Sequence, residues 1–389
     1  MIRWVLHRLK GDKMIWILVI LIALISLLAV YSSSSAEAFR LHGWHTERSV
    51  VRHASLLLLG LVVMFVVHLL DYRIFARLTN AMLIVTIPLL FYTIVQGSEL
   101  NEAARWITVF GQSFQPSDLA KITLMIYLAK LLTLRQDVIK DFTEGFLPAL
   151  FWVVVICGLI APYDLSTAAL MFLASMMLMF IGGIDLKYLG ILVIVAFVGL
   201  AILTGTAKRS STWKSRWTEY SQRMTDNEYD GSFQTVQSHL AISSGGMFGK
   251  GVGKSTQRNF LPNAQADFVY AIIIEEYGLV GGGLVMLLYL LLLFRSVMII
   301  TVSRTFGALM ACGLSFMLVL QAMMNMGITV GLLPNTGLTL PLISTGGTSI
   351  LMTCISIGII LSVSRDAMER KRERKAGTIR NQRTTRLAY

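Results

Sequence analysis

The sequence predicts an all-α polytopic membrane protein of about ten transmembrane helices, and three observations carry that expectation. Of 389 residues, 55% are hydrophobic and only 14% charged, with a mean hydropathy of +0.67, more apolar side chain than a water-soluble core buries. The apolar residues fall in runs near the length of about 20 that a helix needs to cross roughly 30 Å of hydrocarbon. Between the runs, Lys and Arg gather in alternate short connections, as they do on the cytoplasmic side of a membrane.

The runs lie near 14–35, 51–70, 74–96, 118–134, 146–162, 166–183, 187–205, 268–301, 305–330 and 346–364. Basic residues precede the first, as in a signal peptide, but it is long enough to span and lacks a small-residue cleavage site, so it counts as helix one. The arm "MIRWVLHRLKGDK", Arg73 and Arg77, Lys130, Arg135 and Lys140, Arg295 and Arg304, and the tail "RDAMERKRERKAGTIRNQR" fall on one side. Ten spans then put both termini in the cytoplasm. Residues 1–364 read as one membrane domain and 365–389 as a basic cytoplasmic tail. Cys157, Cys312 and Cys354 sit inside apolar runs and imply no disulfide outside the membrane. The net charge of +12 lies largely in the tail and cytoplasmic turns, so it gives no case for nucleic acid. The tail could meet anionic lipid headgroups.

Three connections on the opposite side are longer or odder than a plain connector. The first, 206–266, carries Lys208, Arg209, Lys214, Arg216, Arg223, Lys250, Lys254 and Arg258 against Glu219, Asp226, Glu228 and Asp230. It reads either as a solvated amphipathic loop or as a site for an anionic substrate at the outer membrane face. Within it, "SSGGMFGKGVGKS" sets glycines among Lys250, Lys254 and Ser255, where inward backbone amides and lysines suit phosphate oxygens. It is no Walker motif, because the first required glycine falls on Phe248. This segment has little to pack, so neither lysine is expected to matter for folding.

The second connection, 101–121, places Arg105, Trp106 and Phe110 where the chain re-enters the membrane, like an interfacial amphipathic element. In its "QPSD", Pro116 starts a helix with Asp118 in the first turn, and Lys121 follows at a spacing that allows an ion pair. The third, 331–349, is apolar, yet Pro334, Pro341 and glycines 331, 337, 346 and 347 deny it a continuous helix. It predicts a re-entrant loop over a polar cavity.

In this order, "RWITVFGQSFQPSDLAK", "PYDLSTA", "GKGVGKSTQRNFLPNAQADFVYAIIIEEYG" and "GLLPNTGLTLPLISTGGTS" resemble the signatures of the SEDS family of bacterial envelope proteins (shape, elongation, division and sporulation). The resemblance covers nearly the whole chain. It implies a peptidoglycan glycosyltransferase that polymerises lipid II, the undecaprenyl-pyrophosphate disaccharide pentapeptide, at the outer face of the cytoplasmic (inner) membrane. It also implies a class B penicillin-binding protein transpeptidase as partner, with other division-complex membrane proteins. "LLPNTGLTLP" looks more like the division branch than the elongation branch. The chain departs from the family pattern at Asp118 (Glu), Ser166 (Gly), Gln265-Ala266 (His-Thr) and Thr345 (Tyr). An imidazole beside Asp267 is therefore not required.

Such a reaction needs a base for a sugar hydroxyl and cations around the departing pyrophosphate. Asp267, at the water-lipid boundary beside the basic loop, is the candidate base, where partial desolvation would raise a carboxylate toward a useful range. Capping the following helix is its alternative role. Lys250, Lys254 and Arg258 are the leading pyrophosphate candidates, with Arg105 and Lys121 behind them. Trp106 could stack on a sugar, and Asp118 and Ser344 complete the substrate-binding set. Glu275 and Glu276 lie about 12 Å or more deeper along the helix and read as buried anchors hydrogen-bonded to the re-entrant loop. Asp164 reads as a helix cap at least as readily as a substrate contact. No metal site is expected from the sequence, although a divalent cation bridging Asp267 and pyrophosphate is compatible with it. A lipid II flippase and a non-enzymatic scaffold are the other classes, and a flippase would be favoured by discontinuous helices in both halves. The sequence offers only one strongly broken segment, 331–349.

Overall fold

The computed structural model describes residues 10–40, 46–96, 98–100, 103–109, 112–206, 210–225, 233–261, 264–300, 303 and 305–386. Lys208, Arg209, Asp226, Glu228, Asp230, Phe110 and Arg304 lie outside that set, as do the side chains of Arg105 and Arg223.

Helices α1 (Lys13–Arg40), α2 (Thr46–Leu69) and α3 (Arg73–Gln96) lead into an antiparallel sheet of β1 (Ser98–Leu100), β2 (Ala103–Val109) and β3 (Gln112–Phe114), in the order β1-β2-β3. Then come α4 (Pro116–Leu134), α5 (Leu147–Ile160), α6 (Leu165–Ile181) and α7 (Leu186–Thr206). α8 (Ser210–Thr225) and α9 (Phe233–Gly245) follow, and α10 (Val269–Ile300), α11 (Thr305–Thr329) and α12 (Gly347–Arg386) complete the fold.

Among the described residues, seven helical stretches are long and apolar enough to cross a membrane: α1, α2, α3, α5 with the π turn Phe142–Phe146 ahead of it, α10, α11 and α12. α6 and the stretch Leu186–Ile202 of α7 are apolar but shorter, and α4 is 19 residues long but carries Asp118, Lys121 and Lys130. These ten are the predicted runs. The chain is a multi-pass membrane protein.

α11 lies at the centre, packed against α10, α4, α6 and α12. α12 runs along α2 in the most extensive interface of the bundle. Glycines let those two backbones approach: a Cβ on Gly358 would stand 2.9 Å from the Met64 carbonyl oxygen, and one on Gly60 2.8 Å from Cys354 Sγ. On the face that carries the chain start, the Asp12 carboxylate takes Arg295 Nη2 at 3.0 and 2.8 Å, and its amide donates to Ser364 Oγ at 2.8 Å. Arg365 Nη1 donates to the carbonyls of His68 and Leu69 at 3.0 and 2.9 Å, satisfying the open end of α2.

The opposite face differs from the expectation in three ways. The described residues 98–100, 103–109 and 112–114 form strands and not an amphipathic interfacial element, since pairing satisfies the backbone of "AARWITV" where it leaves the lipid. The 206–266 connection is no plain solvated loop but contains α8 and α9. Third, α10 is discontinuous: Gly278 has φ 71° and ψ −173°, which ends the first half-helix inside the bundle. A second broken element thus accompanies 331–346, which forms no regular helix or strand. Both breaks lie in the C-terminal half.

Candidate active site

The break at Gly278 frees backbone groups that lipid could not satisfy. The glycine-rich segment supplies partners for four of them. Leu279 N donates to Gly246 O (2.9 Å) and Val280 N to Met247 O (3.3 Å), while Lys250 N and Gly251 N donate to the carbonyls of Glu275 (2.9 Å) and Glu276 (3.0 Å). Side chains would prevent this approach. A Cβ on Gly245, Gly249 or Gly278 would stand 2.2 Å from a backbone oxygen of the opposing segment.

Residues 245–257 are therefore a strap docked through its backbone, with Met247, Phe248 and Val252 left exposed, which corrects the expectation of no folding role for Lys250 but leaves it standing for exposed Lys254. Glu275, wholly buried, accepts from Lys250 Nζ at 2.7 Å, Ser255 Oγ at 2.5 Å, Thr256 N at 3.0 Å and Thr256 Oγ1 at 2.9 Å. The groups that suited a phosphate in the sequence are taken up by the chain itself, the Lys250 and Gly251 amides by peptide carbonyls and the Lys250 ammonium by the Glu275 carboxylate. Glu276 accepts from Ser32 Oγ of α1 and from Ser255 N at 3.4 Å, and Arg258 Nη1 donates to Ser32 O at 3.0 Å. The two glutamates are buried anchors, but they hold the strap and α1, not the re-entrant segment. The difference arises because the helix break turns its free groups toward 246–251.

Lys250→Gln is accordingly expected to destabilise the fold by about 2 kcal/mol, less than for a fully buried pair because 30% of the Lys250 side chain stays exposed. Thermal melting of the purified protein measures it, and Glu275→Gln in the same chain should recover part of the loss. Equal melting of Lys250→Gln and wild type would show the pair to be inert.

The re-entrant segment is held by side chains from several helices. Tyr289 of α10 donates to Pro341 O, Ser26 of α1 to Ile343 O at 3.2 Å, and Gln321 Nε2 of α11 to Thr339 O at 2.8 Å. Ser344 accepts from Leu340 N at 2.8 Å, closing the segment's own turn, so the residue expected among the substrate contacts serves the loop conformation. Thr345 donates through both N (2.9 Å) and Oγ1 (3.1 Å) to Gln265 O. Two departures from the family pattern thus touch one another.

Asp267 stands half-buried two residues before α10, in this seam between the strap's exit and the re-entrant segment. Its carbonyl accepts from Asn325 Nδ2 at 2.9 Å. Further along the same face, Asp118 and Lys121 are both buried and pair at 2.7 Å, and Lys121 also donates to Gln321 Oε1 at 3.0 Å. Asp118 Oδ2 meets no donor among the described residues and borders a cavity of about 20 Å³ lined also by Ser349, Thr353 and Ser356, room for one water. Asp164 caps α6 through Thr167 N (3.2 Å) and Thr167 Oγ1 (2.9 Å), with Gln115 Nε2 at 3.5 Å. Trp106 and Arg105 lie in β2, Trp106 half-buried. Of the basic strap residues, Lys254 is exposed. No group of three His, Cys, Asp or Glu side chains comes together among the described residues.

Sequence reasoning missed Ser32, Gln321 and Asn325. The two amides had a signal: polar side chains four apart in the apolar run of α11, on one helix face, where a polar group must find a partner.

Comparison with known proteins agrees with this architecture. Residues 12–369 match the FtsW, RodA and SpoVE family, described as cell cycle protein. A curated relative from Geobacter sulfurreducens, "Probable peptidoglycan glycosyltransferase FtsW", is 33% identical over 362 residues, 91% of this chain and 95% of its own. Stage V sporulation protein E of Bacillus subtilis is 31% identical over 374 residues, 92% of this chain and 98% of its own. The crystal structure of the rod shape determining protein RodA from Thermus thermophilus superposes with a TM-score of 0.67 at 27% identity, covering 92% of this chain and 97% of that one. A chain from a peptidoglycan synthase complex, described as coordinating polymerization and crosslinking, gives 0.70 at 27% identity, covering 92% and 98%. With the family pattern matched from the first span to the start of the tail, the chain belongs to the FtsW, RodA and SpoVE family of cell cycle proteins.

Proposed function

We propose that this chain is a peptidoglycan glycosyltransferase that polymerises lipid II at the face carrying the sheet, strap and re-entrant segment. The carrying observation is the position of Asp267, half-buried where the strap's exit, the re-entrant segment and the head of α10 meet. Its carboxylate takes the proton from an attacking sugar hydroxyl as that oxygen bonds the anomeric carbon. The anomeric C–O bond breaks with its electron pair going to undecaprenyl pyrophosphate. Lys254 and Arg258 are the cations assigned to that leaving group, since Lys250 is paired with Glu275. The buried Asp118–Lys121 pair stabilises the site from below, and a divalent cation between Asp267 and pyrophosphate is compatible with this arrangement.

The names of the curated relatives and the "LLPNTGLTLP" pattern support a division role, with a class B penicillin-binding protein and other division proteins as partners in the inner membrane. Labelled lipid II and the purified protein, with and without that transpeptidase, provide the test. Glycan chains are expected; lipid II crossing a vesicle bilayer without chains would make the protein a transporter, and neither would leave a scaffold.

The orientation has its own test. With Cys157 replaced, a cysteine at exposed Ser215 of α8 should react with an impermeant reagent in intact cells, and one at exposed Gln136 should not. The reverse pattern would move the active face to the cytoplasm.

A further inference from the structure

Two amides of α11 connect parts of the site that lie far apart in sequence. Asn325 is wholly buried, and its Nδ2 donates to Asp267 O at 2.9 Å and to Leu338 O of the re-entrant segment at 2.7 Å. A primary amide has two N–H hydrogens and both are used, while Oδ1 meets no donor among the described residues. The site thus uses Asn325 as a two-donor head. One turn away, Gln321 donates to the next carbonyl, Thr339 O, at 2.8 Å and accepts from Lys121 Nζ at 3.0 Å. The contacts therefore run without a gap from Asp118 through Lys121, Gln321, the 338–339 backbone and Asn325 to the backbone of Asp267.

We propose that Asn325 is the positioning residue for Asp267, fixing its carboxylate against the re-entrant segment, with Gln321 setting the register of that segment on the Asp118–Lys121 pair. Satisfying carbonyls at membrane depth would account for the bonds to Leu338 and Thr339 alone. The third carbonyl is that of Asp267 itself, one bond from the carbon that carries the side chain. Displacement of a catalytic group by about 1 Å costs on the order of 100-fold in rate. The inference rests on the assignment of Asp267 as the base.

The test is a double-mutant cycle in the full chain, purified with its transpeptidase partner and assayed on lipid II. Asn325→Ala is expected to lower kcat about 10 to 100-fold with KM within about twofold of wild type. Combined with Asp267→Asn, it should cost nothing beyond Asp267→Asn alone, because a misplaced residue that is no base has little left to lose. Losses that multiply, or a raised KM at normal kcat, would overturn the positioning role. If Asn325→Ala does not fold, Asn325→Ser, which keeps one donor for two carbonyls, carries the same cycle. A Ser variant at full rate also overturns the role. An Asp267→Asn protein at wild-type rate would refute the base itself, whereas a slow Asp267→Asn protein beside normal Asn325 variants refutes only the positioning.

Discussion

Asp267→Asn is expected to lower polymerisation of lipid II by about 100 to 10,000-fold, the range that a general base contributes. The substitution keeps the side chain's size and its ability to accept a hydrogen bond, and leaves the Asp267 carbonyl free to hold Asn325. Expression, melting temperature and transpeptidase binding should therefore stay near wild type. Glu275→Gln should behave in the opposite way. It removes charge from a carboxylate that receives the Lys250 ammonium and several strap donors, so it should lower the melting temperature more than turnover per folded molecule. Following glycan chain formation with matched amounts of each variant separates the two. Chains made at wild-type rate by Asp267→Asn would remove this carboxylate from the mechanism.

Gly278→Ala is expected to prevent recovery of folded protein. The backbone there has φ 71°, where an L side chain is strained, and the new Cβ would stand 2.2 Å from Met247 O and 2.4 Å from the Met247 carbonyl carbon. Neither is a flexible side-chain end. The strap would have to lift away, uncovering the two carbonyls and two amides that it pairs and removing donors from Glu275. A loss above about 4 kcal/mol follows from combined strain and unpaired buried groups. Gly283→Ala is the control, since it lies in the same helix with open space around its Cβ and should be neutral or slightly stabilising. Size-exclusion profiles and melting curves in detergent compare them, and two indistinguishable profiles would show the break to be unnecessary.

The spans were legible because lipid demands long apolar runs, and the re-entrant segment because prolines and glycines cannot continue a helix. Asp267 was legible as an acid at a polarity boundary. The strap's role was not. Gly278 sits in "EEYGLVGGG", which reads as one helix, and nothing local says that the freed carbonyls of Glu275 and Glu276 meet the amides of Lys250 and Gly251, 25 residues earlier. Lys250 looked like a ligand for phosphate because an ammonium pairs with any anion, including a carboxylate from the same chain. The strands of 98–114 were hidden by their shortness, since three- and seven-residue segments give little alternation to read.

The α2–α12 interface sets an order of assembly. α2 ends at Leu69 and its principal partner begins at Gly347, so 278 residues of chain must be made before α12 can dock. At about 5 to 20 residues per second, that is a wait of tens of seconds inside the bilayer. During it, α1 and α2 can lean on each other, because Ser26 Oγ meets His53 Nε2 at 2.8 Å and Trp16 packs edge-on against His68 with ring centroids 5.1 Å apart. The first hairpin thus carries its own polar pairing through biosynthesis. Arg365, arriving last, then closes the carbonyl end that α2 has left open since insertion.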